Sequence, residues 1–379
     1  MAAIALNARF YSHVPTGMQR YALEMVNRLE SNLDVIRPSR PLRGVEGHLW
    51  EQLYLPAASR GRLLWSPNNT GPLAVSRQVC TIHDIIPVEH PEWFSPRFAA
   101  WYQWLLPRLT RKVQHIVAVS EFTKGRIVER FGIAPSKVSV VWNGVDSEFN
   151  PRPEWEIEQV RAELGIPVGR YLLTVGSIEP RKNLQGLLEA WRRVSAELPE
   201  DVSLVVAGAK GASLVFSNAK TGSIPPGVHF TGYVKQDQLP ALYSGALGMV
   251  YVSLYEGFGL PALEAMACGT AVVTSETTSL PEVAAGCAVL VDPENCESIA
   301  QGILNIVYGD DLRERLCRAG LDHARRWSWD RSASETFRVL SGFTSAATAP
   351  RTEGADGGVG RRPGGRPHMV NRRAIEEVK

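Results

Sequence analysis

The sequence predicts an α/β protein with parallel sheets in two halves, and three observations lead there. Short apolar runs alternate with helical periodicities along most of the chain, the signature of parallel strands joined by crossover helices. The 379 residues exceed what one hydrophobic core commonly supports. A polar, charged stretch over 151–169 interrupts the alternation near its middle. Open parallel sheets take ligands beyond the carboxyl ends of their strands, so two facing sheets make the cleft between them the expected site.

In the first half, strands are expected at 3–6, 63–66, 78–83, 115–120 and 138–142. The N-terminus lacks a basic segment followed by a long apolar one, so it reads as a first buried strand and not as a signal peptide. Gly17 ends a loop before a helix, where a backbone without Cβ lets a phosphate or sugar approach. His83 and Asp84 stand at the carboxyl end of a strong strand, where polar residues face a cleft, although a lone buried histidine is more often a satisfied core residue than a catalyst. Ser120 opens a helix either as a cap or as a polar contact. The pattern over 96–115 sets Trp101, Tyr102 and Trp104 beside Arg108, Arg111 and Lys112, which suits a bilayer surface but better suits a helix packed on the sheet. Asn143-Gly-Val-Asp is a turn, most simply a hinge.

In the second half, strands are expected at 171–175, 202–207, 228–231, 249–254, 271–274 and 288–291. Two constellations stand out. After the first of these strands, Glu179-Pro-Arg-Lys-Asn puts Arg181 and Lys182 at a helix start, where the helix dipole disfavours cations unless an anion is near. A departing nucleoside diphosphate is such an anion; a solvated turn is the plain alternative. Later, Glu256-Gly-Phe-Gly-Leu-Pro-Ala-Leu-Glu264 follows an apolar strand, with Pro261 in the first helical turn and Gly269 as a C-terminal cap. A glycine turn feeding a helix presents N–H groups to an anion, here with a carboxylate at each end. Gly257-Phe-Gly-Leu-Pro-Ala also fits a dinucleotide fingerprint, with Glu276 placed for a ribose. Against it, the motif lies late in the chain, Glu256 would repel a pyrophosphate, and Glu264 would have no task. Around a nucleotide sugar, Glu264 can hold the ribose diol and Glu256 the sugar hydroxyls.

Composition narrows the classes. Net charge is +2, and the segment from Ser345 holds seven Arg or Lys against four Asp or Glu, leaving the rest near neutral and without a nucleic-acid footprint. That segment is poor in large apolar residues and is expected to be disordered. No apolar stretch approaches a membrane span. The five cysteines form no metal pattern and read as reduced thiols of a cytosolic protein, and no Asp-x-Asp occurs to carry a metal on a diphosphate.

Gly176-Ser-Ile-Glu-Pro-Arg-Lys-Asn, Phe230-Thr-Gly-Tyr-Val, the 253–270 stretch and Ser279-Leu-Pro-Glu-Val resemble the donor half of retaining GT-B glycosyltransferases of family 4, the glycosyl transferases group 1 set. The Gly17 loop, His83-Asp84 and Val119-Ser-Glu-Phe-Thr-Lys resemble its acceptor half. The resemblance runs from Ile4 to Leu340. It implies two Rossmann-like domains facing across a cleft: acceptor binding at 1–150, donor binding at 151–328, a helix at 329–343 returning to the first domain, and a tail at 345–379. It implies catalysis by His83, Glu256, Lys182 and Arg181 without metal or cofactor. Donor binding falls to Gly17, Gly176, Ser177, Tyr233, Val234, Gly257, Phe258, Gly259, Leu260 and Glu264, and acceptor binding to Asp84 and Ser120. Many members carry an arginine where Ser177 stands, so Arg181 is expected to substitute. The stretches 47–52 and 83–95 look like enzymes of bacterial exopolysaccharide or O-antigen synthesis, which leans the donor to GDP-mannose and the acceptor to a glycan or lipid-linked oligosaccharide. The expected setting is the cytoplasm, with room for contact at the inner membrane face. A UDP-sugar enzyme of the same fold, an NAD-dependent oxidoreductase and a silent sugar-binding relative are the other readings.

Overall fold

Each half of the chain winds into its own six-stranded, all-parallel sheet. The computed structural model describes residues 4–12, 17–42, 44–209 and 224–344; the tail expected to be disordered lies outside them. The first sheet comprises β1 (Ile4–Asn7), β2 (Leu33–Ile36), β3 (Leu63–Ser66), β4 (Gln78–Ile82), β5 (His115–Ala118) and β6 (Val138–Val140), in the order β2-β1-β3-β4-β5-β6. The second comprises β7 (Arg170–Val175), β8 (Val202–Ala207), β9 (Val228–Gly232), β10 (Gly248–Tyr251), β11 (Val272–Ser275) and β12 (Val289–Val291), in the order β12-β11-β10-β7-β8-β9. Two separate parallel sheets in one chain are the architecture that the resemblance implies.

Central strands such as β3, β4, β5, β10 and β11 are buried along their whole length, as expected where helices cover both faces of a parallel sheet. Separate apolar clusters fill the two faces of each sheet. The sequence reading overran several strand ends. His83, Ser120 and Trp142 in the first half, and Val252 to Leu254 in the second, lie just past the last paired residue. These are the positions where a parallel sheet presents side chains to a ligand. It also missed β2, a four-residue edge strand in which Asp34 breaks the apolar run.

The chain crosses between the halves twice, and the two crossings touch. Val145 pairs with Ser328 in a single parallel bridge, and Ser332 Oγ donates to Trp142 O at 2.6 Å. A Cβ on Gly144 would lie 2.2 Å from Trp329 N, so only glycine lets the strands of this double crossing meet. The last described helix, Trp329–Thr344, then lies against the helix Gly17–Leu29 and β3. Trp329 is fully buried, edge-on to Tyr21 with ring centres 6.1 Å apart.

Candidate active site

In the second sheet the winding reverses between β7 and β10: β8 and β9 are added on one side of β7, β10 to β12 on the other. Such a switch point leaves a crevice at the carboxyl ends of two adjacent strands. The 176–183 turn leaves β7 there and the 252–259 turn leaves β10. They are tied together by Leu254 N donating to Arg181 O at 2.8 Å and by Asn183 Nδ2 donating to Val252 O at 3.1 Å.

The result is a buried charge cluster. Glu256 accepts from Arg181 Nη1 at 2.8 Å, from Lys182 Nζ at 2.6 Å and from Tyr251 Oη at 2.7 Å. Arg181 Nε also stands 2.5 Å from Glu179, which is buried. Burial alone would raise the Glu256 carboxyl, but Arg181 and then Lys182 outweigh it and hold it at about 2. Burial lowers Lys182, and Arg181 adds to that; its two carboxylate neighbours only partly offset it. Arg181 is pushed up, because Glu256 and Glu179 overcome its own desolvation. Two cations are therefore held desolvated, each facing a carboxylate that an incoming anion can replace. Glu179 was not singled out by sequence reading; its proline-flanked position reads as a turn, and only the fold buries it.

The glycine turn is clamped by its carbonyls. Ser279 Oγ reaches the Glu256 and Phe258 carbonyls, both at 2.9 Å, and Ser120 Oγ donates to the Gly257 carbonyl at 2.7 Å. Among the described residues no acceptor faces the N–H groups of Gly257, Phe258 or Gly259. Gly259 is in the left-handed region (φ 106°) and starts the helix Leu260–Ala267. Gly257 lies against the first domain so closely that a Cβ would be 1.8 Å from His83 O. The Phe258 side chain is core, and Leu260 packs on apolar clusters of both domains.

On the facing side, His83 Nε2 is 2.8 Å from Pro67 O. A carbonyl can only accept, so Nε2 carries the proton and Nδ1 keeps its lone pair. Burial pushes the imidazole down to about 4, hence neutral. Burial likewise raises Asp84 to about 6, Arg181 opposing it across the cleft. Glu264 Oε1 accepts from Arg20 Nη1 of the first domain at 2.6 Å, and Oε2 from Tyr243 at 3.1 Å. Arg20 was not anticipated, since its partner is 244 residues away.

Three further expected site residues take the following places. Ser120 is fully buried, caps the helix Glu121–Phe131 through Thr123 N and holds the Gly257 carbonyl across the domains. Val234 is a core residue. Tyr233, just past the edge strand β9, is 74% exposed. Gly17 starts its helix with nothing within 4 Å of a Cβ position; the residues just before it lie outside those described. Gly176 packs on the Lys182 stem, and Ser177 is exposed beside it.

Comparison with known proteins shows the family and the GT-B fold. Residues 156–322 match the family described as glycosyl transferases group 1, and residues 65–149 match glycosyltransferase family 4. The O-antigen chain mannosyltransferase B of Escherichia coli is 32% identical over 275 residues, 72% of each chain. The O-antigen chain mannosyltransferase RfbU of Salmonella typhimurium is 28% identical, over 78% of this chain and 79% of that protein. Among solved structures, Anabaena Alr3699/HepE in complex with UDP-glucose superposes with a TM-score of 0.69 at 17% identity, covering 89% of this chain and 99% of that one.

Proposed function

The chain belongs to the glycosyl transferases of group 1 and family 4, and on that premise we propose that it transfers a hexose, with mannose from GDP-mannose as the first choice, to a glycan or lipid-linked acceptor in bacterial polysaccharide synthesis. The lean to mannose and to O-antigen-like products draws on the relatives' names. The observation that carries the chemistry is the Arg181–Glu256–Lys182 cluster at the β7/β10 switch point.

In this reading the diphosphate enters against Arg181 and Lys182, which replace part of their pairing to Glu256 with pairing to phosphate. Cations already stripped of water stabilise the leaving charge without reorganisation, so no metal is needed for that task. Glu256, released in part, accepts from hydroxyls of the hexose, and Glu264 accepts from the ribose diol. Nδ1 of neutral His83 accepts from a hydroxyl across the cleft. The acceptor oxygen forms a bond to the anomeric carbon as the bond to the β-phosphate breaks with its electron pair. The acceptor proton leaves with the phosphate on the same face, which retains configuration. Glu256 is bound to two cations and a tyrosine, an unsuitable state for a covalent nucleophile.

A UDP-sugar donor is the second reading, motivated by the UDP-glucose complex of the Anabaena protein. No described helix is long and apolar enough to cross a membrane. Work at the inner membrane face as a peripheral protein fits Trp104, 42% exposed with Arg108 stacked over it at 4.9 Å.

A thermal-shift panel of GDP, UDP and NAD, followed by turnover of GDP-mannose with anomeric analysis by NMR, tests the proposal. Stabilisation by GDP and an α-linked product are expected. Stabilisation by NAD alone would sink it.

A further inference from the structure

The first N–H groups of an α-helix have no partner within it, and the helix Glu121–Phe131 of the first domain divides its own between the two domains. Thr123 N is met by the cap, Ser120 Oγ, at 3.0 Å. The N–H groups before it are met from the second domain. Glu282 accepts from Glu121 N at 3.0 Å on each carboxylate oxygen and from Phe122 N at 3.3 Å. Its charge also faces the positive end of that helix. Trp142 Nε1, again of the first domain, donates to the same carboxylate. Glu282 is partly exposed and stands on the wall of a cavity of about 500 Å³, so the side chain belongs to no apolar core.

Both ends of this contact lead to the donor turn. Glu282 sits in the helix Leu280–Ala284, directly after Ser279, whose hydroxyl reaches the Glu256 and Phe258 carbonyls. The Gly257 carbonyl between them is held instead by Ser120, the cap of the helix on which Glu282 rests. In a trans peptide the N–H points opposite to the carbonyl before it. The Phe258 N–H is therefore oriented from the first domain, and those of Gly257 and Gly259 from the second. Contact between the domains does not itself depend on Glu282. Tyr255 Oη donates across to Glu89 Oε2 at 2.7 Å, and Arg20 pairs with Glu264. What Glu282 adds is the seating of the Ser120 end of the helix.

We propose that Glu282 is a positioning residue for the donor sugar: by capping the Glu121–Phe131 helix across the domain boundary it sets Ser120 on the Gly257 carbonyl, and so aims the Phe258 N–H at the hexose. The assignment rests on the hexosyltransferase reading above, in which the diphosphate goes to Arg181 and Lys182 and the hexose to Glu256, the residue that opens this turn. Glu282 touches neither; it acts through the helix and Ser120.

The test is calorimetry on the full chain with GDP and GDP-mannose, and in parallel with UDP and UDP-glucose. Wild type is compared with Glu282→Ala, Glu282→Gln, Ser120→Ala and the Ser120→Ala/Glu282→Ala double variant. Glu282→Ala is expected to weaken the sugar nucleotide about tenfold, the scale of a hydrogen bond to a charged group, while the affinity for the nucleotide alone holds. Glu282→Gln, which keeps one acceptor oxygen, loses less. The double variant loses no more than the larger single loss, because both residues act on one carbonyl. Three results overturn the assignment and leave the parent reading standing: an unchanged sugar-nucleotide affinity in Glu282→Ala, equal losses for nucleotide and sugar nucleotide, or single losses that multiply in the double variant. Wild type that binds none of the four ligands overturns the hexosyltransferase reading and this assignment with it.

Discussion

Arg20 Nη1 of the first domain stands 2.6 Å from Glu264 Oε1 of the second. The guanidinium is also 5.0 Å from the Phe149 ring centre, and the Gln236 amide oxygen, in its hydrogen-bonding orientation, accepts from both terminal nitrogens. With Tyr243 on its other oxygen, Glu264 is oriented by one group from each domain. One of the two groups that orient the carboxylate read as the ribose ligand therefore comes from the facing domain.

Arg20→Gln is expected to raise the donor KM about tenfold, the scale of one charged hydrogen bond. The nucleotide-free variant should also show a larger radius of gyration by small-angle X-ray scattering. Unchanged values of both would mean that the pair does not couple closure to donor binding.

Glu256→Gln and Lys182→Met should act on nucleotide binding with opposite signs. Removing the carboxylate's charge frees the cations, so GDP binding by calorimetry should tighten or hold while kcat falls by about 10²–10³. Removing the lysine should weaken GDP and lower kcat together. Weaker GDP binding by Glu256→Gln would contradict the competition between carboxylate and diphosphate.

Gly257→Ala places a methyl where His83 O lies, without touching either sheet. Each domain should fold, judged by circular dichroism, yet transfer should be nearly abolished because the domains are held apart. Wild-type turnover in this variant would show that the contact is dispensable.

His83 and Asp84 should oppose each other in acid. His83, depressed to about 4, contributes stability above its unfolded value of 6.5 and loses it as pH falls through that window. Asp84, raised to about 6 from 3.8, favours the folded state toward the lower end and costs stability as pH rises. Between pH 6 and 4 the two nearly cancel. Asp84→Asn should therefore lose denaturant stability on acidification more steeply than wild type, and a parallel curve would contradict these burial effects.

Much of the fold was legible because buried parallel strands are nearly continuous apolar runs, and β3 and β8 were read to the residue. The edge strand β2 was not, because its single charged residue erases the run. Arg181 and Lys182 could be read from a local clash of charge with helix dipole, and Glu256 from a carboxylate set against a glycine turn. Arg20, Glu89, Glu179 and Glu282 could not. Glu282 accepts from the N–H groups of Glu121 and Phe122 on the facing domain, and such pairings across 160 residues leave no local mark.

The Trp329–Thr344 helix makes the first domain the earliest part synthesised and the last completed. Tyr21 and β3 emerge from the ribosome hundreds of residues before the helix that covers them, and the second sheet has to form in between. Neither a stop at 328 nor a start at 146 divides the protein into two whole domains. A self-sufficient first domain needs two separate stretches of chain, whereas the second needs only one.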